Sequence, residues 1–409
     1  MPNSSQINHC PPLYHDGIGM YVHVPFCQTK CHYCDFNTYA GIESQISGYV
    51  DAVINELQGW SKLLDGPPVR TIFLGGGTPS YLPADDIENI LNTIRLSYDV
   101  DEYAEVTMEC NPGDVNAEQS VRWLRSGINR ISMGVQSFDD GLLSMLGRRH
   151  TALQAQTAFK ILRDTGFSNQ SLDLIYGLPY QSLAQWTETV EIAIALNPDH
   201  ISLYCLQVEK GTPLEVDISA GLYPVPNDDL AADMYEKAQI KLADSGFVHY
   251  EISNWAKIGF ESKHNLIYWN NEPYLGVGPG AHSWLSGRRF ANLKSPRRYV
   301  TSVADHYESE GLDPVALMRN PSGPVEQVDI ITPISDIAET MMMGMRLNAG
   351  VKLSRFYDRF GATLDSVFPS ELHRLIRMNL IELKEDAVRL SDRGRLLGNE
   401  VFAEFLIDA

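Results

Sequence analysis

Three cysteines stand close together near the start of the chain, as Cys27, Cys31 and Cys34 in the segment YVHVPFCQTKCHYCDF. Thiolates are preferred ligands of soft metals and of iron–sulfur clusters. Three thiolates on one short loop can bind three irons of a 4Fe-4S cluster and leave the fourth iron open for another ligand. The spacing therefore predicts a cluster that hosts chemistry. The alternative is a structural zinc site, which needs a fourth ligand such as His32 or Asp35.

Polar residues and glycines at the ends of apolar runs point to the same site. Glu109 and Asp173 lie in the carboxyl-terminal parts of two such runs, the end at which parallel α/β barrels place their active sites. A single buried carboxylate is commonly satisfied by an arginine or by the backbone, but two of them on neighbouring strands favour a bound ligand. The sequence GGGTP at residues 75–79 follows another run. Glycines let the backbone approach a ligand and present N–H donors, although such a turn alone is most often a tight loop.

Apolar runs alternate with amphipathic segments through the first half of the chain. This alternation predicts a parallel sheet, because each helical crossover returns the next strand in the same direction. Six such units over residues 19–206 predict an α/β fold, a partial (β/α)6 barrel, and a flat doubly wound sheet is the alternative. The predicted strands are Met20–Val24, Thr71–Leu74, Glu105–Glu109, Arg130–Val135, Ser171–Tyr176 and His200–Leu206. The predicted helices are Ser47–Leu64, Asp85–Ser97, Ala117–Ser126, Ala152–Asp164 and Leu183–Leu196.

The remaining segments have different patterns. Residues 1–18 form a short N-terminal extension, and the Gly- and Pro-rich residues 207–330 are predicted to be loops and a few helices that close the barrel. Residues 331–409 predict a C-terminal winged-helix-like α+β domain, which in an acidic chain suits packing or a partner better than DNA. Its predicted elements are the helices Asp336–Leu347, Ser354–Phe360 and Ser370–Met378, the strands Leu380–Leu383 and Val388–Leu390, and the helix Asp392–Phe405.

Composition excludes several classes of partner. The chain has 409 residues, of which 44% are hydrophobic, and its 52 acidic and 32 basic residues give a net charge of −20. That balance argues against nucleic acid and against direct binding to an anionic membrane. No apolar run predicts a transmembrane anchor, and the N-terminus lacks the pattern of a secretory signal. Clustered cysteines without a disulfide framework indicate a reducing compartment, so we expect a cytoplasmic protein that reaches membranes only through partners.

Together these motifs resemble those of the radical S-adenosylmethionine (SAM) superfamily. In that superfamily the open iron binds the amino and carboxylate groups of SAM, and one electron cleaves a C–S bond to give a 5′-deoxyadenosyl radical. More specifically, YVHVPFC, GGGTPS, MECNP, GVQSF, LDLIYGLP and GVGPGAHS resemble, in order, motifs of the oxygen-independent coproporphyrinogen III oxidase family. The resemblance runs from about Gly19 to the C-terminus. It implies cluster ligation by Cys27, Cys31 and Cys34, and SAM contacts from Tyr21, Tyr33, Gly76, Gly77, Thr78, Glu109, Gln136, Arg148 and Asp173.

Two features separate the chain from the oxidases and resemble the heme-chaperone branch of the same family. The oxidase pattern carries a further cysteine where this chain has Phe36. The segment His264–Trp269 reads HNLIYW and resembles the H-N-x-x-Y-W signature of the chaperones, in which the histidine is tied to heme. Imidazole is a common axial ligand of heme iron and aromatic rings pack on porphyrins, so His264 is predicted to bind heme. The alternative is an aromatic turn capped by Asn265. His23 either lines the same cavity or packs within its strand.

The resemblance implies a heme chaperone. Such a protein binds heme beside a SAM-ligated 4Fe-4S cluster and delivers the heme to recipient hemoproteins; it uses an electron donor and is compatible with a homodimer. The alternative is the oxidase reaction, a radical decarboxylation of coproporphyrinogen III to protoporphyrinogen IX. A radical SAM enzyme with an unrelated substrate is the third reading. SAM cleavage is expected in each case, and oxidase activity only in the second.

Overall fold

Six parallel strands form the centre of a curved, mixed sheet. The computed structural model describes residues 13–307 and 323–406. The six strands are hydrogen-bonded in chain order, and their outward side chains, such as those of Met20, Val22 and Val24, are fully buried against the surrounding helices. This arrangement confirms the predicted partial (β/α)6 barrel. The strands are β1 Ile18–Val24, β2 Pro68–Gly76, β3 Asp99–Cys110, β4 Arg130–Gln136, β5 Gln170–Tyr176 and β6 His200–Cys205.

Helices on the outside of the sheet connect these strands. Two of them begin at capping boxes: Thr151 and Gln154 form one, and Ser182 and Gln185 form the other. Gly166, with φ of +118°, ends the first of these two helices in the left-handed region. The helices are α1 Ile46–Leu64, α2 Ala84–Ser97, α3 Ala117–Arg125, α4 Asp140–Met145, α5 Ala152–Thr165 and α6 Leu183–Ala195.

The second part of the chain extends this sheet at both edges. The strands are β7 Val248–Glu251, β8 Asn254–Ala256, β9 Tyr274–Val277, β10 His282–Leu285, β11 Arg288–Asn292 and β12 Val325–Ile330. Strand β9 pairs in parallel with β1, and β10, β11 and β12 follow it in antiparallel order, while β8 and β7 continue the sheet beyond β6. The helices between them are α7 Pro213–Ser219, α8 Asp228–Asp244, α9 Lys263–Trp269 and α10 Pro296–Tyr307. The prediction of loops and a few helices here was therefore wrong, because strands this short among glycines and prolines give little periodic signal.

The C-terminal part has its own core around Phe356 and Phe360. Its three-stranded sheet contains β13 Val351–Lys352, β14 Ile381–Lys384 and β15 Ala387–Leu390. Its helices are Pro333–Gly344, Leu353–Phe360, Leu364–Val367, Pro369–Arg377, Asp392–Leu396 and Gly398–Ala403. The predicted winged-helix-like arrangement is confirmed, but the predicted last helix is broken at Leu397, whose φ of −115° and ψ of 27° leave the helical region.

A buried ion pair joins the two cores. The Arg359 guanidinium donates to both carboxylate oxygens of Asp336, at 2.5 and 3.0 Å, and to the carbonyl oxygen of Asn271 at 3.0 Å. Bidentate pairing of this kind fixes relative orientation as well as distance. The turn after α9 is thereby held against the C-terminal helices. Within the described residues, no helix is both long and apolar enough to cross a membrane.

Candidate functional site

A cavity of about 460 Å³ opens at the carboxyl ends of β1–β6. The loop that follows β1 brings Cys27, Cys31 and Cys34 to its wall, and the ends of the other parallel strands complete it. The structure thus brings together three thiols that the sequence only placed near one another. The cavity lies at the end of the sheet where parallel α/β barrels build their active sites.

Each of the three sulfur atoms has a polar neighbour of its own. Thr78 Oγ1 donates to Cys27 Sγ at 3.4 Å, Arg148 Nη1 donates to Cys31 Sγ at 3.3 Å, and the Thr38 hydroxyl lies 3.9 Å from Cys34 Sγ. Hydrogen bonds to ligating sulfurs are a main means by which proteins adjust iron–sulfur clusters. The donor set therefore fits a cluster held by three thiolates.

The fourth ligand of the alternative zinc site is not assembled around these thiols. His32 lies on the same loop, but its Nδ1 contacts the carbonyl oxygen of Met145 at 3.0 Å and its backbone binds Leu146 and Leu214. In residues 13–307 and 323–406, no three His, Cys, Asp or Glu side chains converge closely enough to hold one metal ion. A 4Fe-4S cluster makes a different demand, because each thiolate binds a different iron.

The glycine run supports the cysteine loop directly. The Gly77 N–H donates to Val24 O at 2.7 Å and the Thr78 N–H donates to Phe26 O at 2.8 Å. A β-carbon at Gly77 would lie 2.7 Å from both of those carbonyl oxygens, so only glycine fits there. The N–H groups that the sequence offered to a ligand are thus used by the protein itself. Because the glycines have no side chains, a ligand can still lie close to the backbone of this run.

Glu109 accepts the third of these N–H groups. Its Oε2 lies 2.9 Å from the Gly76 nitrogen. Burial and then the charge of Asp173 raise the pKa of Glu109 to about 7, although the Gly76 hydrogen bond acts in the opposite direction. Burial also raises the pKa of Asp173, against hydrogen bonds from Ser132. The two carboxyls share the cavity, but their strands are not neighbours, because β4 lies between β3 and β5.

Three further residues of the predicted SAM set line the same cavity: Tyr33, Gln136 and Arg148. Gln136 ends β4 with a φ of +69°, an uncommon conformation for a residue other than glycine, and its buried Oε1 has no hydrogen-bond partner within the described part of the chain. An unpaired buried amide oxygen is costly unless a ligand satisfies it. Arg148, which from sequence could equally begin a solvated helix, is half-buried beside Tyr33 and Cys31.

Comparisons with known proteins agree with this geometry. A model of the radical SAM superfamily matches residues 21–193, and a model of the HemN C-terminal domain matches residues 331–397. The heme chaperone HemW of Bacillus subtilis is 38% identical over 387 residues, which cover 94% of this chain and 98% of that protein. The heme chaperone HemW of Escherichia coli is 39% identical over 308 residues, which cover 72% of this chain and 79% of that protein. The chain belongs to the HemW family.

The fold of this HemW family member is also that of a solved oxidase. The structure of coproporphyrinogen III oxidase (HemN) from Escherichia coli superimposes with a TM-score of 0.81, covering 98% of this chain and 92% of that one. Sequence identity is 21%, so this likeness is one of fold. The predicted placement of the chain in the heme-chaperone branch of the radical SAM superfamily is confirmed.

Two of the predicted site residues lie outside the cysteine cavity. Tyr21 lines a separate cavity, and its hydroxyl contacts His23 Nδ1 at 2.9 Å. His264, the histidine of the HNLIYW segment, is fully enclosed: Nδ1 contacts Thr71 Oγ1 at 2.7 Å and Nε2 contacts the Tyr268 hydroxyl at 2.8 Å. Both ring nitrogens are occupied, so heme ligation by His264 stays a prediction that requires this packing to open.

Other residues of the cysteine cavity were not singled out from the sequence. Asn111 follows β3, and Tyr204 and Cys205 end β6. All three therefore lie at the carboxyl ends of parallel strands, the position that drew attention to Glu109. Tyr204 is 44% exposed and lines the cavity. Phe36, which stands where the oxidase pattern has its extra cysteine, is 64% exposed and lines the cavity as well. The chain therefore presents an apolar ring to the cavity where the oxidase pattern has a thiol.

Proposed function

We propose that this chain is a heme chaperone that carries a 4Fe-4S cluster on Cys27, Cys31 and Cys34, binds SAM beside it and delivers heme to recipient hemoproteins. One observation carries the proposal. The three thiols, the glycine run and the buried carboxyls converge on one cavity in a chain that aligns over 94% of its length with a protein named heme chaperone HemW. The thiol set supports the cluster, and the relatives' name supports heme.

Different residues of the cavity would make different contacts with SAM. Bound to the open iron, SAM supplies the one-electron cleavage chemistry of the superfamily. Glu109 and Asp173 provide acceptors for its cationic and hydroxyl groups, and Gln136 Oε1 is an acceptor that the protein leaves unpaired. Gly76 and Gly77 have no side chains, so SAM can lie close to the backbone there. Arg148 sets the charge beside Cys31.

Heme, an electron donor and the recipient hemoproteins are the partners in this proposal, and a homodimer is compatible with it. The net charge of −20 disfavours nucleic acid as a partner. We place the chain in the cytoplasm, where it meets membranes through the proteins that it serves. Oxidase activity is not part of the proposed function.

Anaerobic reconstitution followed by iron analysis tests the cluster. We expect about four irons per chain in the wild type and little iron in Cys27→Ala, Cys31→Ala and Cys34→Ala, because each change removes the protein ligand of one iron. Cys205→Ala is the matched control, since Cys205 lines the same cavity outside the motif, and it should retain its iron. Iron content that is unaffected by the three motif changes would overturn the assignment.

Two assays then separate chaperone from oxidase. Ferric heme added to the purified chain should give a shifted Soret band and a saturable titration. Coproporphyrinogen III, offered with SAM and a reductant, should be recovered unchanged. Formation of protoporphyrinogen IX by the purified chain would replace the proposed function with the oxidase reaction.

A further inference from the structure

A second cavity lies beside β1, where β9 pairs with it. Its volume is about 380 Å³, and its walls carry the aromatic side chains of Tyr21, Tyr268, Trp269 and Tyr274 together with His282 and Arg289. It is bounded by β1, by the added strands β9, β10 and β11, and by the end of α9. Of the residues predicted to contact SAM, Tyr21 alone lines this cavity.

The pairing of the added strands places these side chains on one face. Trp284 of β10 is directly opposite Tyr274 of β9 and Arg289 of β11. Because side chains alternate along a strand, His282 shares the face of Trp284, two residues away. The result is a surface of rings and one guanidinium, with Tyr268 and Tyr274 in edge contact at a centroid distance of 4.7 Å. Flat apolar ligands are held by surfaces of this kind.

Three histidines lie in or near this cavity, and they differ in the state of their ring nitrogens. His23 contacts the Tyr21 hydroxyl through Nδ1 and the Asn37 carbonyl through Nε2, at 2.9 and 3.0 Å. His264 has both nitrogens engaged, as described above. His282 is exposed to the cavity, and neither of its ring nitrogens has a hydrogen-bond partner among residues 13–307 and 323–406. It alone of the three presents a lone pair without rearrangement.

Trp269 contributes a second unpaired polar group to the same cavity. The indole nitrogen of Trp269 is buried and has no hydrogen-bond partner in the described part of the chain. The indole nitrogens of Trp123, Trp255 and Trp284 are likewise buried and unpaired there, so this feature alone does not indicate a ligand. Trp269 also lines the cavity, on the α9 side. The two unpaired groups thus come from different elements of one cavity.

The charges around His282 suit a metal-bearing ligand with acidic groups. Burial, followed by the charges of Lys294 and Arg289, lowers the pKa of His282, so its imidazole is neutral and can bind a metal. Arg289 already pairs with Glu339, at 2.7 and 3.0 Å. Lys294 is exposed, and its ammonium group has no ion-pair partner among the described residues. Its charge acts on His282, so it is available to a carboxylate of a ligand bound beside that histidine.

We propose that heme binds in this second cavity, with His282 as an axial ligand of the iron, the aromatic walls against the macrocycle and Lys294 near a propionate. This inference rests on the proposed function, because it assumes that the chain binds heme. Axial ligation needs only the imidazole lone pair, which displaces a solvent molecule from the iron without a change in oxidation state. His23 lies between the two cavities, since its ring also packs against the glycine run at Gly76.

Heme titration of four full-length chains tests the assignment: wild type, His282→Ala, His264→Ala and His373→Ala. His373 is an exposed histidine of the C-terminal helices and serves as the matched control. We expect His282→Ala to weaken ferric heme binding by at least about tenfold and to move the Soret band, because it removes an axial bond. Free imidazole should restore the wild-type spectrum. The other two variants should keep that spectrum, and metal-free protoporphyrin IX should bind wild type and His282→Ala alike, because it contacts only the walls.

Two outcomes would overturn the inference, and they are distinguishable. If the wild type binds heme and His282→Ala binds it with the same affinity and spectrum, the ligand lies elsewhere and the proposed function stands. If only His264→Ala loses the wild-type Soret spectrum, the axial ligand of the heme iron is His264 of the HNLIYW segment. If the wild type gives no Soret change, the proposed function fails together with the inference. Circular dichroism of each variant shows that the chains compared are folded.

Discussion

The guanidinium of Arg148 donates a hydrogen bond to the sulfur of Cys31 across 3.3 Å. A second bond, from Nη2 to the carbonyl oxygen of Gly134 at 2.5 Å, fixes the same side chain against β4. A full positive charge is therefore held against one of three proposed cluster ligands. The charge of the neighbouring Arg149 is instead balanced by Asp114, with which it forms an ion pair at 2.5 Å.

Replacement of Arg148 should make the cluster harder to reduce. In Arg148→Gln the cation that favours the more negative, reduced cluster is gone, so the midpoint potential should fall by on the order of tens of millivolts. Arg148→Lys should recover part of the difference, and Arg149→Gln should change the potential less, because its charge is already paired. Redox titration of the reconstituted chain without SAM measures this. Equal shifts in Arg148→Gln and Arg149→Gln would contradict a specific role for the Cys31 contact.

Binding of SAM should depend on pH through Glu109. The pKa of this carboxyl is raised to about 7, so it is largely neutral at pH 6 and ionised at pH 8. If only the carboxylate form accepts a hydrogen bond from the amino group of SAM, affinity should fall by roughly tenfold for each pH unit below 7. Equilibrium dialysis of labelled SAM between pH 6 and 7.5 gives the profile.

Two variants isolate the contribution of Glu109. Glu109→Gln should bind SAM more weakly at pH 7.5 and show little pH dependence, since the titrating group is absent. Glu118→Gln, at an exposed position in the first turn of α3, should behave as wild type. A Glu109→Gln chain that keeps the wild-type profile would show that another group controls SAM binding.

His264 should contribute to stability as a buried, neutral hydrogen-bonding group. Its ring stacks on Phe73 at 5.1 Å, and both nitrogens are paired. His264→Ala should therefore lower the free energy of unfolding by about 2–4 kcal/mol. His373→Ala, at an exposed position, should change it by less than about 0.5 kcal/mol.

The same site should show a defined pH dependence. Burial lowers the pKa of His264 to about 3, below that of the unfolded chain. Its stabilising contribution is then complete above the unfolded pKa of about 6.5 and is lost as the pH falls. The deficit of His264→Ala relative to wild type should be smaller at pH 5.5 than at pH 7.5, by roughly 1 kcal/mol. Urea denaturation at the two pH values measures it, and a deficit that grows on acidification would contradict a buried neutral imidazole.

The parallel core and the cysteine cavity were predictable because their signals are local. Apolar strands that alternate with amphipathic helices predict a parallel sheet whose strands follow chain order. Active-site residues lie at the carboxyl ends of such strands, and this placed Glu109 and Asp173 in the cavity. The cysteines, the glycine run and Arg148 also meet there. Tyr21 does not, because β9 pairs beside β1 and its neighbouring strands help to form a second cavity on the face that Tyr21 shares.

Contacts between distant parts of the chain were not predictable from one sequence. The His264–Thr71 hydrogen bond joins residues 193 positions apart, and nothing local to HNLIYW indicates that its histidine is enclosed. The short strands β9, β10 and β11 form only because longer neighbours provide pairing partners. His282, which those strands carry, was therefore visible in sequence only as part of the GVGPGAHS motif.

The buried carboxyl of Glu56 supports the loop that follows β9 and offers a last prediction. Its oxygens accept from Gly278 N–H at 2.9 Å, Asn292 Nδ2 at 2.7 Å and the Tyr299 hydroxyl at 2.5 Å. Glu56→Ala should lower the free energy of unfolding at pH 6 by about 2–4 kcal/mol, because Gly278 loses its acceptor in a buried site. Burial nevertheless raises the pKa of Glu56 to about 7, above that of the unfolded chain, so the proton-linked part of its stabilisation is present in acid and is lost as the pH rises through 7. The stability deficit of Glu56→Ala, measured by urea denaturation, should then be smaller at pH 8.5 than at pH 6 by roughly 1 kcal/mol. Glu236→Ala, on the exposed face of α8, should resemble wild type at both pH values. A deficit independent of pH would mean that Glu56 stays ionised in the fold.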